Sequence, residues 1–241
     1  MQSIDRSSKE AELDTDPAWS RLFPLLPPVK GLRILDLGCG SGWFCRWAMK
    51  NDARSVLGVD ISENMLNKAH SLTGDKYTGI EYRREDLETL QLPEEHTAKY
   101  GLVFSSLTLH YLENLSQTMS LVYRVLQPGG LFVFNVEHPI YTAPHNPRVL
   151  TDPATGERYW SFNSCYMEGE RVIDWLAKGV RKQHRSMTGY MDIIIKAGFT
   201  IRGFMEWLPR EDELKAGTVD KIDEIRPLFL MMSVQKEAKA I

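Results

Sequence analysis

Residues 35–42 read LDLGCGSG, and they join an apolar run to a segment with helical periodicity. Gly38, Gly40 and Gly42 let the backbone turn sharply and approach a ligand without clashes from a Cβ atom. A strand-to-helix turn of this kind lies at the carboxyl ends of the strands in an open sheet, where nucleotides bind. The glycine pattern by itself also fits a tight turn that holds no ligand.

Trp43 and Asp36 distinguish this loop from a dinucleotide-binding loop. The G-x-G-x-x-G pattern needs a small residue at the position that Trp43 occupies. Asp36 would repel a pyrophosphate, but it suits a ligand that carries an ammonium or another cation. The loop therefore favours a nucleoside with a cationic group over NAD, and an NAD-dependent dehydrogenase is the weaker alternative.

Short apolar runs alternate with helical segments on both sides of this loop, which predicts an α/β domain with a parallel sheet and right-handed crossovers. Two further strands are too close for a crossover that contains a long helix, so they predict an antiparallel pair at the end of the sheet. The predicted strands are 32–37, 55–61, 80–84, 100–105, 131–137, 199–208 and 228–235, and the predicted helices are 43–51, 63–71, 115–125 and 186–196. Gln127–Gly130 predicts a turn, and Ser186 and Gly198 predict the caps of the last helix.

The alternation stops in residues 138–182, which predict an insertion rich in aromatic side chains. Glu168 and Gly169 predict the turn of a hairpin there. We interpret the insertion as a lid over an apolar acceptor pocket; a satellite core or a homodimer contact is the alternative. Residues 1–16 predict a flexible tail and 17–241 a single domain. The aromatic residues of the insertion are Tyr141, Tyr159, Trp160, Phe162, Tyr166 and Trp175.

The composition excludes several classes of protein. Lys plus Arg is 29 and Asp plus Glu is 32, so the net charge of −3 argues against a nucleic-acid partner. Three cysteines cannot form a dense disulfide framework. No run approaches the roughly 20 apolar residues of a membrane helix, and the polar N-terminus does not resemble a signal peptide. We expect a cytoplasmic protein without a membrane partner.

Two further acids follow strands. Asp60 ends the second predicted strand, where an acidic side chain hydrogen-bonds ribose hydroxyls; helix capping is the alternative, although Ser62 is the better cap. Asp86 follows the third strand, where it could accept a hydrogen bond from an exocyclic amine while Leu87 packs on the ring. A solvated turn acid is the alternative for Asp86.

Residues 32–137 resemble the core of a class I, Rossmann-like S-adenosylmethionine-dependent methyltransferase. The resemblance rests on LDLGCGSG (35–42), VLGVDIS (56–62), EDLETL (85–90), FSSLTLHYLEN (104–114) and LQPGGLFVFNV (126–136), in this order. It implies S-adenosylmethionine as the cofactor, with its methionine part bordered by the glycine loop, its ribose at Asp60 and its adenine at Asp86. The implied cofactor-binding residues are Asp36, Gly38, Cys39, Gly40, Asp60, Ile61, Asn64, Asp86, Leu87 and Ser105.

Methyl transfer needs a nucleophile in line with the sulfur–methyl bond, so the acceptor site should lie at the ends of the fourth and fifth strands. Pro139 fixes the chain as it leaves the sheet, which would aim Glu137 or His138 into the cleft. The segment 184–199 resembles one that approaches the active site in small-molecule members of the family. We predict His138, His184 and Glu137 as catalytic residues and His110, Tyr141, Arg185 and Tyr190 as substrate-binding residues.

Packing or capping of the adjacent helix is the alternative for His110, and a solvated pair at a helix start is the alternative for His184 and Arg185. No spacing predicts a metal site. We therefore predict a methyltransferase that acts on a small organic molecule, by O-methylation of a carboxylate or phenol. N-methylation of a small amine is the second hypothesis. A cofactor-binding protein with a regulatory or non-methylating role is the alternative from another class.

Overall fold

The computed structural model describes residues 16–173 and 178–238. The described strands are β1 (Arg33–Leu37), β2 (Ser55–Asp60), β3 (Ile80–Arg84), β4 (Tyr100–Ser106), β5 (Leu126–Glu137), β6 (Val149–Thr151), β7 (Arg158–Trp160), β8 (Gly169–Ile173), β9 (Val180–His184), β10 (Phe199–Glu206) and β11 (Phe229–Lys236). The described α-helices are α1 (Pro17–Leu22), α2 (Trp43–Lys50), α3 (Glu63–Thr73), α4 (Leu115–Val125), α5 (Pro139–Thr142), α6 (Met187–Lys196) and α7 (Glu211–Ala216).

Seven of these strands form one sheet in the order β10-β11-β5-β4-β1-β2-β3. Strands β1 to β5 are parallel, whereas β11 pairs antiparallel with both β5 and β10. The α/β class and the antiparallel pair at the end of the sheet are thus confirmed. The chain order reverses between β1 and β4, and a crevice opens at such a switch point beyond the carboxyl ends of the strands.

Apolar side chains cover both faces of the sheet, as expected for parallel strands with buried faces. Helices α1, α2 and α3 contribute Trp19, Phe44 and Leu66 to the core on one face. Helices α4 and α6 contribute residues such as Met119 and Ile194 to the core on the other face. This packing holds the ends of β1, β2 and β4 in a fixed arrangement, and those ends carry the predicted site.

The predicted caps of α6 are confirmed, but the predicted turn at Gln127–Gly130 is wrong. The Ser186 side chain accepts a hydrogen bond from the Gly189 N–H at 3.0 Å, and Gly198 follows the helix with a φ of 89°. Strand β5 already begins at Leu126, and its pairing shifts from Tyr100–Leu126 to Leu102–Leu131. The Pro-Gly-Gly segment therefore forms a bulge within the strand, because Gly129 accommodates a positive φ without ending the pairing.

Residues 138–182 contain α5 and two small hairpins, β6–β7 and β8–β9, of which the second ends at His184. The predicted hairpin turn at Glu168–Gly169 is wrong, since Gly169 pairs with His184 at the open end of β8–β9. Trp175 and residues 1–15 of the predicted tail lie outside the described residues. Asp16 caps α1 by accepting a hydrogen bond from the Ala18 N–H at 2.8 Å.

No helix within residues 16–173 and 178–238 is long and apolar enough to cross a membrane.

Candidate active site

The glycine loop has the backbone geometry that its sequence predicts. Gly38, Gly40 and Gly42 have φ values of 73°, 53° and 76°. A Cβ atom on Gly38 would lie 2.1 Å from the Thr108 Oγ1, so the loop and the end of β4 approach each other where only glycine fits. The N–H groups of Gly38 and Cys39 both donate to the Val59 carbonyl, at 2.8 and 2.9 Å, which anchors the loop to β2.

Asp60 ties this loop to the start of α3. One carboxylate oxygen accepts a hydrogen bond from the Gly40 N–H at 2.8 Å, and the other accepts one from the Ser62 N–H at 2.8 Å. Ser62, as predicted, is the cap of α3, and its side chain accepts from the Met65 N–H. Each Asp60 oxygen has a second lone pair, so the carboxylate can still accept hydrogen bonds from hydroxyl groups of a ligand.

A cleft of about 610 Å³ opens beside Asp60, and this volume suits a small organic ligand. It brings together five of the predicted cofactor-binding residues: Gly38, Asp60, Ile61, Asp86 and Leu87. The other lining residues are Glu88, Thr108, Tyr111, Leu112, Glu113, Arg181 and Gln183. Four acidic residues, Asp60, Asp86, Glu88 and Glu113, and several apolar residues therefore line a space that could hold a nucleoside.

The cleft residues missed by the sequence prediction come from three places, with Glu88 after β3 and Glu113 among those after β4. Thr108, Tyr111 and Leu112 directly follow β4, so the position of β4 at the switch point is a signal that could have found them. Arg181 and Gln183 belong to β9 in the insertion. Their place at the cleft depends on how the hairpin packs, and their local sequence gives no signal of it.

The remaining predicted cofactor-binding residues do not line this cleft. The Ser105 hydroxyl is buried and donates to the Leu37 carbonyl at 2.8 Å, which joins β4 to β1. Cys39 is buried in the loop, with its Sγ 3.8 Å from the Gly40 carbonyl oxygen. Asn64 is exposed on α3. Their predicted contacts with the cofactor stay predictions.

Asp36 lies fully inside the protein beneath the loop. Its Oδ2 is 3.3 Å from the Cys45 Sγ, whose S–H can donate to it. Burial raises the pKa of Asp36 to about 7; the hydrogen bond from Cys45 lowers the pKa, and the nearby charge of Asp60 raises it further. A cationic ligand group above the loop would favour the ionised carboxylate.

A second polar cluster lies at the carboxyl end of β5, beneath the insertion. The Lys182 ammonium donates to the Glu137 Oε1 at 2.5 Å, and both side chains are buried. The Lys182 Nζ also lies 6.0 Å from the ring centroid of Tyr111, which lines the cleft. Burial raises the pKa of Glu137, while the charges of Lys182 and Arg226 oppose that shift.

Several buried polar atoms of this region have no hydrogen-bond partner within the described chain. They belong to both hydrogen-bond donors and acceptors, so an organic acceptor molecule with polar groups could satisfy them. The atoms are the His110 Nδ1, the Asn135 Oδ1, the Glu137 Oε2, the Arg185 Nη1 and the Arg226 Nε and Nη1. Asn135 and Arg226 were not among the predicted site residues.

The two histidines predicted as general bases are held in structural hydrogen bonds. The His138 Nε2 is 2.9 Å from a Glu206 carboxylate oxygen, and its Nδ1 accepts from the Ile140 N–H at 3.1 Å. The His184 Nδ1 lies 2.8 Å from the Thr142 hydroxyl, and its Nε2 lies 3.0 Å from the Cys165 carbonyl. In this arrangement each ring nitrogen has a partner within the protein, and the catalytic roles of His138 and His184 stay predictions.

His110 differs from these two histidines, because its buried Nδ1 is unpartnered. Burial holds the pKa of His110 well below its usual value, and the charges of Lys182 and Arg185 lower it further. The imidazole is therefore neutral near pH 7 and can accept a hydrogen bond or a proton at one nitrogen.

Arg185 and Tyr190, predicted to bind substrate, lie beneath the loop that follows β4. The Arg185 Nη2 donates to the Leu112 and Glu113 carbonyls, which fixes two residues of the cleft wall. Tyr190 is buried in the core beside α4, and burial raises its pKa to about 12 against the effect of the Arg185 charge. Arg185 therefore holds the cleft wall in place. Its buried Nη1 has no hydrogen-bond partner among the described residues and could donate to a ligand.

Tyr141, also predicted to bind substrate, stacks on Trp160 with 5.6 Å between the ring centroids. Its ring belongs to a different cleft, under the insertion. The described part of the chain contains no group of three or more His, Cys, Asp or Glu side chains that could bind a metal ion.

Comparisons with known proteins agree with this geometry. A family model for a methyltransferase domain matches residues 35–134. A solved S-adenosylmethionine dependent methyltransferase from Mesorhizobium loti is 43% identical, with a TM-score of 0.86, over 92% of this chain and 99% of that chain.

Two curated relatives carry more specific names. A malonyl-acyl carrier protein O-methyltransferase from Pectobacterium atrosepticum is 31% identical over 47% of this chain and 42% of its own length. A tRNA U34 carboxymethyltransferase from Hahella chejuensis is 33% identical over 70% of this chain and 50% of its own length. The match thus spans half or less of each relative. The solved relative, which is matched over nearly its full length, shows that the chain belongs to the S-adenosylmethionine-dependent methyltransferases, enzymes that use S-adenosylmethionine as their cofactor.

Proposed function

We propose that the protein methylates an oxygen atom of a small organic acid or phenol in the cytoplasm. The observation that carries the proposal is the cluster of unpartnered buried polar atoms beside the cofactor cleft. The cluster contains nitrogens of two cationic side chains, Arg185 and Arg226, which favour an acceptor in its anionic form. The name of the Pectobacterium relative, an O-methyltransferase, is in line with this chemistry.

The cleft beside Asp60 is the proposed cofactor site. The Asp60 carboxylate would bind the ribose hydroxyls, Asp86 the exocyclic amine of adenine, and Ile61 and Leu87 the faces of the ring. Asp36, Gly38, Cys39 and Gly40 would border the methionine part, with Ser105 and Asn64 near it. The volume of the cleft and the carboxylates along its wall suit S-adenosylmethionine, a nucleoside with a cationic group.

S-adenosylmethionine, when bound, supplies an electrophilic methyl group on a sulfonium. The chain itself must orient the acceptor and exclude water from the cleft. A carboxylic acid is already ionised near neutral pH, so it needs no general base. A phenol needs help with its proton, and the unpartnered Nδ1 of His110 is the proposed acceptor of it. Glu137, held by Lys182, is proposed to accept a hydrogen bond from the acceptor through its Oε2.

The experiment is an incubation of the protein with S-adenosylmethionine labelled with ¹³C in its methyl group and a metabolite extract. Mass spectrometry then identifies the products that gain the label, and treatment with alkali releases methanol from methyl esters but not from aryl ethers. Labelled esters or ethers support O-methylation. Label on the nitrogen of an amine, or on RNA added in a parallel incubation, would contradict it.

A further inference from the structure

A second cleft, separate from the proposed cofactor site, lies under the insertion and has a volume of about 690 Å³. Tyr141, Trp160 and the apolar side chains of Val149 and Val172 form part of its wall. We call it the lid cleft. Its size and walls suit a small organic molecule with an apolar body.

The polar groups of the lid cleft are donors or cations. Arg226, Arg148, His145 and Asn146 all line it, and none of the lining residues within 16–173 and 178–238 is acidic. Asp223 lies 3.7 Å from the Arg226 Nη2 and offsets part of this positive charge. The excess of donors and cations still favours an anion over a cationic ligand. Arg148, His145 and Asn146 are exposed at the mouth, whereas Arg226 is buried.

Arg226 packs against two aromatic rings, but two of its nitrogen atoms have no hydrogen-bond partner within the described chain. Its guanidinium carbon lies 4.6 Å from the ring centroid of Tyr141 and 4.4 Å from that of Trp160. Its closest carboxylate contact is 3.7 Å, between its Nη2 and an Asp223 oxygen, and its Nε and Nη1 have no partner among the described residues. Each of these two nitrogens can donate a charge-assisted hydrogen bond to a carboxylate oxygen.

The lid cleft leads toward the proposed reaction site. Arg226 and Tyr141 are both near enough to Glu137 for their charges to interact. Glu137 pairs with Lys182, which reaches the Tyr111 ring at the wall of the cofactor cleft. The Glu137–Lys182 pair is therefore near residues of both clefts, Tyr111 of the cofactor cleft and Arg226 and Tyr141 of the lid cleft.

We propose that the lid cleft binds an organic carboxylate with an apolar body, through Arg226 and the stacked rings of Tyr141 and Trp160. Its role as the anchor of the methyl acceptor rests on the function proposed above, but the binding of the anion does not. Arg226 would fix the carboxylate, and the rings would bury the adjoining apolar part of the same molecule.

The test compares three probes with one body and different head groups: 3-phenylpropionate, 3-phenylpropanol and 3-phenylpropylamine. Binding to the full-length protein is measured by ligand-observed NMR titration. We expect the carboxylate to bind at least about tenfold more tightly than the alcohol or the amine, because charge-assisted hydrogen bonds to a guanidinium are strong. Equal binding of the three probes would overturn the proposal.

Single variants test whether Arg226 causes the tighter binding of the carboxylate probe. Arg226→Gln should remove most of the tenfold difference, and Arg148→Gln, at the exposed mouth, should reduce it by about threefold. Arg202→Gln, on the exposed face of β10, is the matched control and should leave it unchanged. Binding of 3-phenylpropionate that is unaffected by both Arg226→Gln and Arg148→Gln would overturn the site.

The failure of this site can be told apart from the failure of O-methylation. The probes bind without any methyl transfer, so their affinities do not depend on which atom receives the methyl group. Label on nitrogen in the extract assay would contradict O-methylation and leave the lid cleft standing. Loss of the preference for the carboxylate would contradict the lid cleft as a binding site and leave O-methylation standing.

Discussion

The Lys182 ammonium lies 2.5 Å from the Glu137 carboxylate, and this buried pair joins β9 of the insertion to the end of β5 in the central sheet. Removal of one partner leaves the other charge buried and unpaired. The pair therefore ties the insertion to the sheet.

Lys182→Met should lower the free energy of unfolding by about 3 kcal/mol, since an unpaired buried carboxylate is costly. The double variant Lys182→Met/Glu137→Gln should lose less than the sum of the two single variants, because neither charge remains unpaired. Urea unfolding measures both. Lys196→Met, which removes an exposed pair with Asp192, is the control and should cost less than about 0.5 kcal/mol. A double variant that loses the full sum would contradict the coupling.

The affinity for S-adenosylhomocysteine should depend on pH through Asp36. Its pKa is raised to about 7 by burial, and an ammonium group above the loop would lower that pKa in the complex. Binding then releases a proton, so affinity falls as the pH drops. Between pH 8 and pH 6 the Kd should rise about tenfold.

The control ligand for this linkage is 5′-methylthioadenosine, which lacks the amino-acid part and so its ammonium. Its Kd should stay constant over the same pH range in titration calorimetry. Asp36→Asn should flatten the curve for S-adenosylhomocysteine. A pH dependence that persists in Asp36→Asn would assign the effect to another group.

Gly38→Ala should unfold the glycine loop locally and abolish binding of S-adenosylhomocysteine. The new Cβ would lie 2.1 Å from the Thr108 Oγ1, in addition to the strain of a φ of 73°. Gly31→Ala separates the two effects, since Gly31 has a φ of 74° but no atom within 4 Å of the added Cβ. We expect Gly31→Ala to cost about 1 kcal/mol in urea unfolding and to retain binding. Normal binding by Gly38→Ala would show that the loop tolerates the clash.

His184→Ala should destabilise the insertion without removing a catalytic proton acceptor. Both ring nitrogens bond within the protein, to the Thr142 hydroxyl and the Cys165 carbonyl. We expect a loss of about 2 kcal/mol in stability, as for other buried hydrogen bonds, and a pH profile of kcat/KM with its shape unchanged. Disappearance of an ionisation from that profile would restore the base role first predicted for His184.

The parts of this structure that the sequence predicted are those set by local pattern. The buried run before Gly38 and the acid at Asp60 predict a strand end and a ligand site, because strand periodicity and glycine turns act over a few residues. Gly129 and Gly169 misled the prediction, since a glycine with positive φ can sit in a bulge or at a strand end as well as in a turn. Lys182 and Arg226 reach the site only through tertiary packing.

Tertiary packing also determines the hydrogen-bond partners of the two predicted catalytic histidines. The sequence predicts a catalytic role for His138 because it follows a strand, and for His184 because its segment resembles one near the active site of small-molecule methyltransferases. Their partners, Glu206 and Thr142, come from other parts of the chain. No spacing in the sequence shows that these partners already occupy the ring nitrogens.

The proposed place of the cofactor at Asp60 is tested most directly by calorimetric titration of S-adenosylhomocysteine into the wild-type protein and Asp60→Asn. Asp60 accepts hydrogen bonds from the Gly40 and Ser62 N–H groups, which hold the loop, and it lines the cleft. We predict clear binding by the wild-type protein and at least about tenfold weaker binding by Asp60→Asn. Equal affinities of the two proteins would contradict the assignment of this cleft as the cofactor site.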